Sequence, residues 1–517
     1  MQTGRAAMNA DDYYLKKKTG RTAGHAIMTT VFFRADLFHA PGLQAGETAA
    51  IKRIDDALIA VEGGTITAVL RPDDPLRAPG GPFAAPTPVT DLRGQGVLLP
   101  GFVDLHIHAP QFPQLGQALD VPLEIWLQTH TFPLESRYSD LDFADRVYRA
   151  LVRRLLANGT TTAMYFATIH YESSLRLAEI CIEMGQRALV GRVAMDLAES
   201  CPDNYRDASP AVSVADTARF VEAVPRLAGN DGRVLPAITP RFIPSCSDAA
   251  LRGLGALAAE TGAHVQTHCS ESDWEHHHVH DRMGKSDTAA LRDFGLLTRR
   301  TVLAHGTFID DDDMALIAAA GAGVAHCPLS NVYFSNAVFP LRTALEKGLH
   351  VGLGTDISGG PSASLMENAR MTVTASRMLE EGVDADKPAA ARGRPQNRVD
   401  FRTAFWLATM GGAIALDLPV GCFAPGRQFD AMLVQLPHDH LLDSGHGDSG
   451  PRDSRRRDTR RVDSRRGDTS RGDSGQDDPH TSAAAVDDAL LQKIIMLATP
   501  ADIRQTWVAG ALVHQQG

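Results

Sequence analysis

The sequence predicts an α/β fold: a (β/α)8 TIM-like barrel with a small β-sandwich built from both chain ends. Three observations lead there. Eight apolar, strand-like runs alternate with amphipathic helical stretches through the middle of the chain, the pattern of a parallel barrel. Several of those runs stop at His or Asp, and barrel chemistry sits at the C-terminal strand ends. Hairpin-like β patterns also occur at both ends of the chain, outside the alternation.

Residues 1–28 are polar and hold Lys16-Lys17-Lys18 beside Asp11 and Asp12. They lack the apolar core of a signal peptide and the acid-poor character of a transit peptide, so a disordered tail is expected. Residues 29–96 read as the first part of the sandwich. Strand-like runs at 30–33 and 51–61 are followed by a hairpin through Gly63-Gly64 into 65–70.

The barrel is expected over 97–418. Its first strand ends in Asp104-Leu105-His106-Ile107-His108, and later ones end near Tyr165, Asp196, Pro240, His268, His305, His326 and Asp356. Between them, Phe143, Val147, Leu151 and Leu155 recur every four residues and trace one helical stripe. Asn158-Gly159 closes that helix. Ser213 and Asp216 have the spacing to open another in capping-box fashion, and Ser247 or Asp248 can cap the helix carrying Leu251, Leu254 and Ala258. Residues 419–437 and 489–517 supply the second part of the sandwich, with a final hairpin turning at Ala509-Gly510.

Residues 438–488 break the pattern: PRDSRRRDTRRVDSRRGDTSRGDSGQDD holds one Val and otherwise no large apolar residue. Such a stretch cannot bury enough surface to order itself. A low-complexity insertion between two sandwich strands is expected; its Asp residues offset much of the Arg charge, which weighs against a basic binding arm.

Across 517 residues the hydrophobic content is 44% and the formal net charge −11. The acidic balance argues against a nucleic-acid partner held through phosphates. No apolar run is long enough to span a bilayer. The six Cys form no CxxC pair, which fits reduced thiols of a cytoplasmic protein.

In an extended strand alternate residues share a face, so His106 and His108 project together. His268, His305 and Asp356 stand at three further strand ends. Three of these four His with the carboxylate around one centre make a first-row metal site, favouring Zn²⁺ with Fe²⁺ the alternative. Such a site activates water near neutral pH, and Asp356 could accept that water's proton. Glu271, three residues past His268, is placed to shuttle protons. Gln111 offers both a donor and an acceptor, Arg241 donors only, and Phe242 a flat face; a core position is an equal reading for Phe242. Trp274, His276, His277, His278 and His280 are read as solvated surface. His326 is read as a pocket-lining residue and not a ligand.

PGFVDLHIHAPQ ending at Gln111, Thr239-Pro240-Arg241-Phe242, THCSE ending at Glu271, LAHGT ending at Thr307, HCPLSN ending at Asn331 and GTDISGG ending at Gly360 together resemble the amidohydrolase superfamily. More closely they resemble its guanine deaminase branch. The resemblance covers residues 29–436 and the last strand pair. HxH with GTD marks the superfamily; HAPQ, TPRF and the HxxE spacing narrow it to the branch. It implies one Zn²⁺ per chain on His106, His108, His268 and Asp356. It implies catalytic roles for Glu271, Asp356 and His305, with His305 orienting the attacking water. Gln111, Arg241, Phe242, His268 and Glu271 would contact the purine, and a homodimer is expected. No Lys lies between Lys52 and Lys285, so the carboxylated Lys that bridges two metals in related hydrolases has no candidate there. The rival readings are an adenosine or S-adenosylhomocysteine type deaminase, a triazine hydrolase, and a non-catalytic scaffold of the same fold.

Overall fold

The apolar runs become two sheets. The structure, a computed structural model, describes residues 30–43, 49–118, 120–335, 337–441 and 483–516. The predicted N-terminal tail and most of the predicted 438–488 insertion lie outside the described residues.

The first sheet joins both chain ends. Strands β1 (Val31–His39), β2 (Lys52–Glu62), β3 (Thr65–Leu70), β4 (Val89–Asp91) and β5 (Val97–Pro100) come before the barrel. The barrel strands are β6 (Phe102–His108), β7 (Thr160–Phe166), β8 (Arg187–Ala194), β9 (Val234–Pro240), β10 (His264–Cys269), β11 (Thr301–His305), β12 (Gly323–His326) and β13 (His350–Leu353). After them come β14 (Ala431–Val434), β15 (Ile503–Val508) and β16 (Ala511–Gln515).

The terminal sheet runs β16-β15-β14-β5-β1-β2-β3, with β4 on β1. It curls on itself: Phe429 N–H donates to Gly64 C=O at 2.8 Å and Ile66 N–H to Arg427 C=O at 2.7 Å. Phe33 stacks on Phe429 with ring centroids 4.1 Å apart, and Trp507 meets Phe33 edge-on at 5.9 Å. The sandwich is thus one folded sheet around an aromatic core. Arg187 at the start of β8 ties it to the barrel through a buried pair with Asp430, Nε to Oδ2 3.0 Å.

Strands β6 to β13 pair in parallel in chain order. The ring closes as the chain leaves β13. Asp356 N–H donates to His106 C=O and His108 N–H to Ile357 C=O, both at 2.8 Å. Asp104, on the His106 face of β6, accepts the Thr355 N–H at 3.0 Å and its hydroxyl at 2.6 Å. A side chain at Gly354 would put Cβ 2.9 Å from the His106 Cβ, so this seam requires glycine.

Local signals mostly decide the helices. Asp140 caps Leu141–Ala157, which ends at Asn158 with Gly159 left-handed (φ 77°). Its buried stripe is Ala144, Tyr148, Leu151, Val152, Leu155 and Leu156; Phe143 and Val147 flank it half-buried. Ser247 caps Asp248–Thr261 as expected. Ser213 does not open a helix. It lies inside Pro210–Ala223, which Ser209 caps through the Val212 N–H while Pro210 takes the first position.

Ala483–Leu497 is a helix that the sequence reading did not place; it overlaps the start of the 489–517 segment, whose expected hairpin follows it as β15 and β16. Leu491, Ile494 and Ile495 bury against the barrel, and Arg370 Nε donates to Ile495 C=O at 2.9 Å. Among the described residues no helix is long and apolar enough to cross a membrane.

Candidate active site

Four of the eight barrel strand ends contribute side chains to a common point. His106 and His108 leave β6 on one side, His268 comes from β10, His305 from β11, and Asp356 follows β13. His305 and Asp356 take left-handed backbone (φ 72° and 49°), so the chain turns away as each side chain turns inward.

All five are buried. His108 Nε2 and His268 Nε2 face each other at 2.9 Å. Asp356 Oδ1 lies 3.2 Å from His106 Nε2 and 3.6 Å from His108 Nε2. His305 Nε2 is 3.6 Å from Glu271 Oε1 and 3.9 Å from Asp356 Oδ2. The ligand atoms of His106, His108 and His268 lie within 4.8 Å of one another, as do those of His106, His305 and Asp356.

Hydrogen bonds fix the tautomers. His268 Nδ1–H donates to Arg241 C=O at 2.6 Å, which leaves its Nε2 as a lone pair aimed at His108. His305 Nδ1–H donates to Asn331 Oδ1 at 2.9 Å, so its Nε2 is an acceptor too. His106 Nε2 and His305 Nε2 have no hydrogen-bond partner. Buried polar atoms are normally paired, and two ring nitrogens this close call for a positive charge between them. Three imidazoles and a carboxylate therefore fit a divalent cation.

Burial sets the electrostatics. It pushes His106, His108 and His268 well below the usual histidine range, and the neighbouring imidazoles push the same way. The three are neutral at pH 7, as ligands must be. Burial raises Glu271 well above ordinary carboxylates, with Asp356 adding to the shift. Asp356 is raised by burial, against the pull of His305.

A narrow cleft, partly open to solvent, opens above these groups; His108, Gln111, Arg241, Phe242, Glu271 and Asp356 are among its lining residues. Its cover is the segment after β6, which brings Leu123, Trp126 and Leu127 over the cleft. Gln111 lies in the turn directly after His108. Arg241 follows β9, and Phe242 shows the cleft a buried ring 6.1 Å from His268.

The surface reading of Trp274 is corrected. It sits on the helix Asp273–Met283 and packs on Phe242 at 5.9 Å. His276 and His278 are half-buried, and His276 Nδ1 lies 3.4 Å from Ser270 Oγ. His277 and His280 are exposed as expected. His326 does not line the cleft: it is buried against Phe339 at 5.4 Å.

Sequence reasoning missed Glu135, Tyr205, Asn331 and Asp104. Arg241 is not a free cation, because Glu135 takes it in a two-point pair at 2.7 and 3.2 Å. Asp104 could have been found, since residues 104, 106 and 108 share one strand face. Glu135 had no signal, lying 106 residues from its partner Arg241.

The amidohydrolase family model matches residues 97–513, and the chain belongs to the amidohydrolase family. Within it, the chain is similar to guanine deaminases. It is 39% identical to the guanine deaminase of Homo sapiens over 70% of this chain and 78% of that one. It is 34% identical to that of Escherichia coli over 67% and 74%. The solved guanine deaminase of C. acetobutylicum with guanine bound superposes with a TM-score of 0.75 at 26% identity, covering 94% of this chain and all of that one.

Proposed function

We propose that this protein is a zinc-dependent guanine deaminase, hydrolysing guanine to xanthine and ammonia. One observation carries the reading: the cation-binding cluster and the amide-and-guanidinium wall of Gln111 and Arg241 face the same cleft. His106, His108, His268 and Asp356 would hold the ion, and three nitrogens with one carboxylate oxygen favour zinc. One ion per chain fits a single cluster of this kind among the described residues. When bound, the ion supplies Lewis acidity that makes water nucleophilic near neutral pH.

The chain's own residues divide the remaining chemistry. His305, held by Asn331 with Nε2 as acceptor, orients the attacking water toward C2 of the purine. Asp356 accepts that water's proton. Glu271, whose carboxyl burial and the neighbouring Asp356 raise, gives a proton to the adjacent ring nitrogen. Now a carboxylate, Glu271 takes the proton of the new C2 hydroxyl and passes it to the amine as the C2–N bond breaks; the proton held by Asp356 then returns to Glu271, so guanine and water leave as xanthine and ammonia. Gln111 addresses the amide edge, Arg241 an acceptor such as O6 or a ring nitrogen, and Phe242 the purine face. Loss of water from the covered cleft strengthens each of these contacts.

The six cysteines are buried free thiols, which supports a cytoplasmic setting. A homodimer rests on the family resemblance alone. Ammonia release with guanine, adenine, cytosine and melamine side by side tests the substrate. Guanine is expected to lead by at least about 100-fold; a preference for any other would replace the reading with a rival deaminase or triazine hydrolase. Zinc below about half an equivalent per chain in active-site-intact protein would favour the scaffold.

A further inference from the structure

Behind the cleft wall lies a second layer of contacts. Glu135 ends the short helix Phe132–Glu135 on the cleft cover and is fully buried. Four donors converge on its two carboxylate oxygens. Oε2 accepts Arg241 Nη1 and the Tyr205 hydroxyl, both at 2.7 Å. Oε1 accepts Gln111 Nε2 at 2.8 Å and Arg241 Nη2 at 3.2 Å. These four bonds fill the carboxylate's acceptor positions. Only an acceptor-only group satisfies all of them at once.

The consequence falls on Gln111. Its Nε2 donates to Glu135 while its Oε1 accepts the Ser358 N–H at 3.2 Å. Both bonds select the same amide orientation, leaving one N–H and one lone pair for a ligand. Arg241 is fixed likewise. Each terminal nitrogen spends one N–H on Glu135, and the Phe132 ring lies 5.0 Å from its guanidinium carbon. The donors and acceptors that the wall shows to the cleft are therefore set by a residue that does not line it.

We infer that Glu135 is the positioning residue for substrate recognition, fixing the hydrogen-bonding polarity of Gln111 and Arg241 toward the purine. The inference rests on the guanine reading above. It concerns a carboxylate that touches neither the reacting atoms nor the metal ligands. Its loss acts on binding before it acts on chemistry, because His106, His108, His268, Asp356 and Glu271 make no hydrogen bond to it.

The test is E135Q, with Y205F beside it, each assayed for guanine KM, kcat and zinc per chain. Gln at 135 places two N–H groups where four donors already point, so Arg241 loses a bond whichever way the new amide turns, and in one of the two orientations Gln111 must turn over as well. KM for guanine should rise at least about 30-fold, the scale of bonds lost to a charged group, while kcat stays within about tenfold and zinc is retained. Y205F keeps the carboxylate and removes one bond, so KM should rise about 3- to 10-fold at unchanged kcat; it decides the matter alone should E135Q fail to fold. A KM within about twofold of wild type in these variants would overturn the role. So would a fall in kcat and zinc together at unchanged KM, which marks a merely structural part. A wild type that leaves guanine untouched would overturn the substrate reading and this role with it; an active wild type with an indifferent E135Q overturns only this role.

Discussion

The barrel mouth and the curled terminal sheet are both buried, yet they are built on opposite chemistry. The sheet interior is Phe33, Ala35, Ile59, Ile66, Phe429 and Trp507, and where the sheet meets the barrel the buried side chains of Asp430 and Thr506 are matched. Asp430 takes both Arg187 and the Ala509 N–H, and Thr506 donates to Leu156 C=O at 3.0 Å. The mouth gathers imidazoles and carboxylates whose inward atoms, His106 Nε2 and His305 Nε2, lie near carboxylates but have no hydrogen-bond partner. Apolar burial in the first region stabilises the fold. The second leaves bonds open for an ion and a substrate, an arrangement that persists only because the surroundings over-determine it.

The sharpest way to break the contrast is D356N. It should remove metal binding and at least about 10⁴-fold of activity, measured by ammonia release and metal content. The metal-free protein should keep its melting temperature, because the change relieves a buried carboxylate that burial already disfavours. A marked loss of metal-free stability would make Asp356 structural.

Next is E271Q, expected to cost about 100- to 10⁴-fold in kcat with zinc retained. Near-normal kcat would remove Glu271 from proton transfer. On the other side of the contrast, F429A should destabilise by about 3–5 kcal/mol in urea unfolding while leaving kcat per folded molecule unchanged. Lost activity in folded F429A protein would show that the sheet shapes the site.

The smallest effect is a pH dependence seated in the sheet. His39 is buried near Phe423 and opposite Lys52, and burial, with Lys52 adding, lowers it from 6.5 to about 4. The unfolded chain therefore binds the extra proton between those values. Stability present above pH 6.5 is lost as pH falls toward 4, by up to about 3 kcal/mol. H39Q should flatten that slope in chemical denaturation; an unchanged slope would place the acid sensitivity elsewhere.

The two regions also differed in how far the sequence disclosed them. Strand tips are legible because the alternation of β6 puts His106 and His108 on one face, and because barrel order brings the ends of β10, β11 and β13 to the same rim. Gly159 and Ser247 were legible as local backbone signals. Ser213 misled because Ser209 with Pro210 is the stronger start. The helix Ala483–Leu497 was overlooked although Leu491, Ile494 and Ile495 have helical spacing; the low-complexity stretch before it hid the boundary. Glu135, Tyr205 and Asn331 were illegible for a physical reason. They act through pairings across 106, 70 and 26 residues, and nothing local marks a carboxylate that will meet an arginine only after folding.

The most direct test is stoichiometric reconstitution. Chelator-stripped protein is titrated with zinc while guanine loss, xanthine and ammonia are followed together. The account predicts no turnover without metal, activity rising linearly to one equivalent per chain, and equal xanthine and ammonia. Guanine turnover that persists in fully stripped protein, or that needs a second equivalent, would contradict the single-ion site at the barrel mouth.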